Sequence, residues 1–420
     1  MKSNPAKLHY SKEKSPLSRG DARRAEGFVP KIALVQDYIK EFGGAEAVLE
    51  TLSEIFPDAP IYTTLYRPKF LGPHQARLTK KWQGRIHQSF FQYLPFAHKI
   101  ISPLRLLSPL AFKSFDFSQF DFIITSATGA YFPNLINKKH AKLICYCHTP
   151  PRYLYGLPTA RNFTKNKFIY ALVQILNHFL RLTDFKSSQN VDQFIANSQT
   201  TADRIKKFYR RDCIVINPPI ETVKEKASDG DFSARNIRGA MPKGVSTEKL
   251  SSEPYFLTGG RLARAKRYDI AIKACNQLNL KLKIFGRDFA NFADELKAMA
   301  GPTVEFLGEI SQDQKDQLYS QAQAFIFCSD NEDFGMVPVE SMAHGCPVIA
   351  YKSGGTTETV IDGKTGVFFD ELTPKSCVSA IQKFQKLKIS SKDCLSRASE
   401  FSKEKFISKI TKLISSFICI

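Results

Sequence analysis

Residues 31–52 read KIALVQDYIKEFGGAEAVLETL. An uninterrupted apolar run, IALVQ, gives way to a polar loop, then to Gly43-Gly44, then to a helical pattern. A strand passing through a Gly-Gly turn into a helix is a βα unit. Further strand-like runs follow in APIYTTLY, DFIITSA, KLICYCH and QFIANS, with helical stretches between them. Alternation of β and α over nearly two hundred residues predicts a parallel, doubly wound sheet. After INPPIET the composition changes, and residues 222–252 are polar, charged and without an apolar period. The pattern then restarts with YFLTGGRL, LKLKIFG, VEFLG, AFIFCS, PVIAY and GVFF.

The predicted organisation is therefore α/β, with two Rossmann-like doubly wound domains facing a central cleft. Its parts are a disordered basic arm (1–28), an N-terminal Rossmann-like domain (29–218), a linker or insertion (219–253), a second Rossmann-like domain (254–400) and a C-terminal helix (401–420). That last helix carries Ile407, Ile410, Leu413, Ile414 and Phe417 at helical spacing, so one face is expected to pack on something or lie on a membrane.

The 420 residues carry a formal net charge of +20 and a pI of about 9.5, which implies an anionic partner: nucleic acid, acidic lipid or a phosphorylated substrate. Nine scattered cysteines with no C-x₂-C pair argue against a zinc site and for buried thiols in a reducing cytoplasm. The first 28 residues lack the apolar core of a secretory signal. No apolar run reaches about 18 residues, so no membrane-spanning helix is expected; FIYALVQILNHFL, from Phe168, reads as an amphipathic helix. A localisation in the cytoplasm follows as the expectation.

In open α/β sheets ligands bind beyond the carboxyl ends of the strands. Four such loops stand out. EDFGMVPVE (332–340) follows the strand AFIFCSD, and Pro338 suits the first turn of a helix. Glu340 then either complements the helix dipole or meets a ligand, and Glu332 is either a solvated loop acid or part of a site. Gly335 permits close backbone approach. The second loop, TGGRLARAKRYDIAI, sets Arg261, Arg264, Lys266 and Arg267 at a helix start, where cations oppose the dipole unless a diphosphate is bound. The third is FGGAE with Gly43 and Gly44. The fourth is YCHTPPRYLY, with His148 just past an apolar strand. There is no P-loop and no G-x-G-x-x-G, so neither P-loop phosphate chemistry nor a dinucleotide cofactor is expected. Asp229 and Asp231 form a D-x-D, discounted because it lies in the polar insertion.

GGRLARAKRYDIAI, FLGEIS and EDFGMVPVESMAHGCPVIAYKSGGTTETVIDGKTGVFF resemble the retaining glycosyltransferases of family four, which have the GT-B fold. VQDYIKEFGGAEAVLETLSEIFPDAPIYTTLY and CYCHTPPRYLYG are similar to the branch of GDP-mannose-dependent mannosyltransferases that build O-antigen and related polysaccharides. The resemblance spans residues 30–400. It implies that Arg261 and Lys266 neutralise the donor diphosphate without a metal, and that Glu340 binds the ribose hydroxyls. It further implies that Glu332 lies against the donor sugar and that the backbone of Gly335, Met336 and Val337 contacts sugar or phosphate. Gly43 and Gly44 would admit phosphates and acceptor, and His148 would hydrogen-bond the sugar. No cofactor is implied beyond the nucleotide-sugar donor. The implied acceptor is a lipid-linked glycan, met at an anionic membrane surface that the stretch around Lys80, Lys81, Arg85, Phe90, Phe91 and Arg105 would suit. Two other readings stand beside it: a UDP-sugar transferase or epimerase of the same shape, and, third, a basic nucleic-acid-binding protein, for which no recognition motif is found.

Overall fold

A computed structural model describes residues 29–159, 167–221, 253–289 and 291–418. The basic arm, most of the 219–253 insertion and its D-x-D lie outside the described residues.

Seven parallel strands form the first sheet: β1 (Ile32–Gln36), β2 (Ile61–Thr63), β3 (Ile86–Gln88), β4 (Phe122–Ala127), β5 (Lys142–Cys147), β6 (Gln193–Ala196) and β7 (Cys213–Val215), in the order β3-β2-β1-β4-β5-β6-β7. Six parallel strands form the second: β8 (Phe256–Gly259), β9 (Leu282–Phe285), β10 (Val304–Gly308), β11 (Phe325–Phe327), β12 (Val348–Tyr351) and β13 (Gly366–Phe369), ordered β10-β9-β8-β11-β12-β13. Each sheet is covered on both faces. Along β1, Ala33 and Val35 enter one apolar core while Ile32 and Leu34 enter the other. In the second sheet Ile326 and Phe325 divide in the same way. Such two-sided burial is why these strands read as continuous apolar runs.

Two strands escape the sequence reading. β3 is half-exposed and carries His87 and Gln88, and β7 has no fully buried residue. Edge strands need no unbroken apolar run, so the signal is missing there.

The helices used below are α1 (Gly44–Ile55), α2 (Lys167–Gln189), α3 (Gln199–Tyr209), α4 (Tyr268–Leu278), α5 (Gln312–Gln321), α6 (Met336–Met342) and α7 (Lys403–Ile418). α7 returns to the first sheet. Phe406, Ile410 and Ile414 join the core beside Ile32, Leu34, Val48 and Leu52, and Lys403 pairs with Glu54 at 2.6 Å. Of the two expectations for this tail, packing on the protein is the one realised. Among the described residues no helix is long and apolar enough to cross a membrane.

Strand order reverses between β1 and β4, and again between β8 and β11. These are the switch points where loops diverge and open a crevice. Both face the space between the domains.

Candidate functional site

β8 ends at Gly259, and Gly260 takes φ +121°, a conformation that suits glycine, where its backbone closely approaches Gly286. The next residues form a short 3₁₀ turn, Arg264–Lys266, before α4 begins at Tyr268. The four cations of this stretch divide by partner. Arg264 pairs with Glu295 and Arg267 with Asp269, both within the second domain. Arg261 instead reaches across the cleft to Glu41, 2.9 Å away, in the loop after β1. Lys266 meets Glu332 at 2.5 Å.

Glu332 sits in the loop after β11. Its Oε2 also accepts from the Ser329 hydroxyl at 2.6 Å. Burial alone would push its carboxyl up; the Lys266 ammonium, the Ser329 hydroxyl and the Arg152 guanidinium outweigh it and bring the pKa down to about 2. Three residues on, Gly335 takes φ +86° and starts α6. The helix therefore begins at Met336, two residues earlier than Pro338 suggests, because a left-handed glycine lets the chain turn at once into the helix. That corrects the expected place of Glu340, which lies past the first turn and carries no dipole-complementing role there. Its carboxylate pairs with Lys315 of α5 at 2.6 Å. The two glutamates thus leave the turn in different directions, each with its own lysine.

Across the cleft, Gly43 caps α1. The Glu46 carboxylate accepts from its amide at 3.0 Å. Burial and nearby Glu41 raise the Glu46 pKa to about 8. A methyl group on Gly44 would lie 2.7 Å from the Met336 sulfur, so the Gly-Gly loop is seated against the start of α6.

His148 follows β5. Its Nε2 lies 2.9 Å from the Ser126 hydroxyl, and its carbonyl accepts from the Asn197 amide at 3.0 Å. Burial lowers the imidazole pKa to about 3, so the ring is neutral. Four residues on, Arg152 donates to the Asn331 carbonyl at 2.6 Å and to Asp333 at 2.8 Å. The loops of His148 and Glu332 are thereby held together.

Other positioning residues were not singled out from the sequence. Asp333 also pairs with the buried Arg204 of α3, and its carbonyl accepts from Ser198. Glu358 of the second domain accepts from the Gln199 and Thr200 amides at 2.6 and 2.7 Å, closing the amino end of α3. Asp37, at the end of β1, accepts from the amides of Thr128, Ala130 and Tyr131 and fixes the loop after β4. The adjacency of Arg152 to Pro150-Pro151 was the only local hint of any of these. Asp333 and Glu358 depend on partners in the other domain, and Asp37 on a loop about ninety residues away in its own.

The basic-aromatic stretch read as suiting a membrane surface divides between buried and exposed side chains. Phe91 is fully buried, Lys81 is bound to Glu50 and Glu54, and Arg85 donates to the carbonyls of Ser53, Phe56 and Ala59. Arg105 donates to Ala130 and stacks on Tyr153. Lys80 and Phe90 stay exposed. Seven of the eight cysteines among the described residues are buried, and all eight are free. Among the described residues no group of three His, Cys, Asp or Glu side chains is arranged to hold a metal.

In chemical terms the cleft offers two cations on one strand-end loop, two acids flanking a left-handed glycine, and a neutral imidazole on the opposite wall. Paired cations grip phosphate oxygens, and carboxylates accept from sugar hydroxyls.

Residues 42–224 match the model of Glycosyltransferase Family 4, and residues 245–401 that of Glycosyl transferases group 1. The chain is 25% identical over 373 residues to alpha-1,3/1,6-mannosyltransferase ALG2 of Mus musculus, covering 81% of this chain and 84% of the relative. The Dictyostelium discoideum protein of the same name is 26% identical, with 72% and 76% covered. Among solved structures, sucrose-phosphate synthase from Thermosynechococcus elongatus superposes with a TM-score of 0.67 at 16% identity, over 93% of this chain and 99% of that one. HepE of Anabaena, solved with UDP and glucose, gives 0.62 at 19% identity, over 92% and 100%. The chain therefore has a GT-B architecture, with a Glycosyltransferase Family 4 match over its first domain and a Glycosyl transferases group 1 match over its second.

Proposed function

We propose that this glycosyltransferase is a retaining mannosyltransferase, moving mannose from GDP-mannose to a lipid-linked glycan in cell-surface polysaccharide assembly. The observation that carries the reading is the pairing of Arg261 and Lys266 with acids drawn from the two sides of one cleft, beside the left-handed Gly335. A diphosphate entering there competes with Glu41 and Glu332 for both cations. The curated names of the relatives in mouse and Dictyostelium supply the sugar.

In this reading the bond from the anomeric carbon to the diphosphate oxygen breaks as the bond to the acceptor oxygen forms on the same face. The acceptor's proton passes to the departing phosphate oxygen. Negative charge grows on the nucleoside diphosphate, and Arg261 and Lys266, fixed in advance, stabilise it without a metal. Glu332 and His148 hold sugar hydroxyls; a neutral imidazole both donates and accepts. Glu340 takes the ribose hydroxyls after releasing Lys315. The amides of Met336 and Val337 meet the sugar or phosphate, and Gly43 and Gly44 leave room for it.

Thermal shift with GDP and UDP, followed by a donor panel of GDP-mannose, UDP-glucose and UDP-N-acetylglucosamine with and without EDTA, tests it. GDP binding with EDTA-insensitive mannose transfer is expected. A preference for UDP transfers the assignment to a UDP-sugar enzyme of the same fold, and a strict metal requirement overturns the role of the cations.

A further inference from the structure

α2 is built the wrong way round for a helix that only packs. Near its carboxyl end the side turned to the protein is polar: Asp184, Ser187 and Ser188 are buried, and Asp184 accepts from the hydroxyls of Tyr155 and Tyr209. The exposed side carries Leu172, Ile175, Leu176, Phe179 and Leu182. At about 3.6 residues per turn these five fall within an arc of about 120°. Gln174, Asn177 and Arg181 lie opposite, and His178 flanks the stripe. From Ala171 to Thr183 no residue of the helix is buried. A second exposed apolar group precedes it in the chain and includes Tyr93 at 86%, Phe96 at 67%, Leu110 at 59% and Leu106 at 51%. Among the described residues, thirteen of the seventeen large hydrophobic side chains left exposed lie between Phe90 and Phe185.

Charge follows the same boundary. Between Asp58 and Asp184 the sequence has only Asp116 and Asp121 as acids, against seventeen lysines and arginines, of which Arg77, Lys81, Lys138 and Arg152 pair with acids from outside this span. Both apolar groups are tied to the acceptor side of the cleft. Tyr131 donates to the Ile101 carbonyl at 2.9 Å and Arg105 to that of Ala130 at 3.0 Å, fixing the first group to the loop after β4. Arg181 donates to the Leu154 carbonyl at 3.1 Å, fixing α2 to the loop that carries His148 and Arg152.

We propose that the apolar stripe of α2 and the exposed residues of 90–110 form one face that docks the protein on an anionic lipid bilayer, with the rim of the cleft at the membrane. An apolar stripe in an acid-poor, lysine- and arginine-rich surrounding matches an acyl boundary under negatively charged headgroups. α2 does not cross the bilayer and lies along it. A second copy of this chain fits poorly, since it would bring two basic faces together. The proposal rests on the lipid-linked acceptor of the preceding section, and it names the surface that would present such an acceptor.

The test is sedimentation of the full chain with vesicles of phosphatidylcholine, alone or mixed with phosphatidylglycerol, without donor or acceptor. The wild type is expected to bind the mixed vesicles at least about tenfold more tightly than the neutral ones, and less tightly as salt rises. Ile175→Asp with Phe179→Asp should weaken that binding at least about tenfold. Leu387→Asp, at an exposed apolar residue far along the chain, should not. The thermal shift given by GDP must stay unchanged in all three proteins, which verifies the fold. Absence of binding to mixed vesicles by the wild type, or full binding by the double variant, overturns the proposal. A lipid-free, concentration-dependent dimer that the double variant abolishes, with no vesicle binding, assigns the face to a second copy instead. Vesicle binding without a response to GDP or GDP-mannose would sink the donor assignment and leave this surface standing.

Discussion

Replacing Lys266 by alanine leaves the Glu332 carboxylate, whose side chain is only 17% exposed, without its ammonium. In the wild type that carboxyl moves from an ordinary value of 4.5 to about 2. At about 1.4 kcal/mol per pH unit, the ionised form stabilises the fold by roughly 3 kcal/mol. Because the folded pKa is the lower one, this contribution is full above pH 4.5 and is lost as pH falls toward 2. In Lys266→Ala burial opposes ionisation with only Ser329 and Arg152 to resist it. The expected loss at pH 7 is about 2–3 kcal/mol, at or below the usual 3–5 for a stranded buried charge, and about 5–10 °C in the melting of the second domain. The gap between wild type and variant should shrink to about half or less by pH 3, where the unfolded carboxyl is already protonated. Adding Glu332→Gln to the variant should restore most of the stability, since no buried charge remains. Turnover should stay low in both, by about 10²–10³, because the cation opposite the leaving group is still missing. Circular dichroism melts between pH 3 and 8, with single-turnover transfer assays, read both effects. Equal melting at pH 7, or a gap that does not narrow in acid, would refute the reasoning about charge; near wild-type turnover would refute the assignment to the diphosphate.

Three further outcomes are expected. Glu46 has the opposite linkage: its carboxyl is raised to about 8, so it holds its proton in the folded state and costs stability as pH climbs from 4.5 to 8; Glu46→Gln should leave melting unchanged at pH 4 and raise it at pH 8.5. Gly44→Ala pushes a methyl group against Met336 and should cut transfer about ten- to a hundredfold, with partial recovery in the Gly44→Ala, Met336→Ala double variant; no recovery would mean that the loop is not limited by that contact. Asp333→Ala strands the buried Arg204 and should cost about 3–5 kcal/mol, splitting a single calorimetric transition into two as the domains uncouple; an unchanged transition would show that this pair does not join them.

The sequence by itself determined the two βα arrays. Their strands are buried on both faces and therefore spell unbroken apolar runs, and the residues at strand ends were read at the right loops: Gly43, Gly44, His148, Arg261, Lys266, Glu332 and Gly335. It could not show β3 and β7, which lie at the sheet edge and need no such run, nor the start of α6, which depends on the sign of φ at Gly335. Residue type alone could not separate the four cations of TGGRLARAKRYDIAI; the resemblance singled out Arg261 and Lys266, and the structure pairs Arg264 with Glu295 and Arg267 with Asp269. Glu41, Asp333, Glu358 and Lys315 were invisible for the same reason: their partners come from distant parts of the chain. The amphipathic pattern from Phe168 was plain as a pattern, but the side it turns inward was not. Periodicity fixes the angle between residues, and only packing decides which face of a helix meets the protein. Here that choice buries Asp184, Ser187 and Ser188 and leaves Leu172, Ile175 and Phe179 outside.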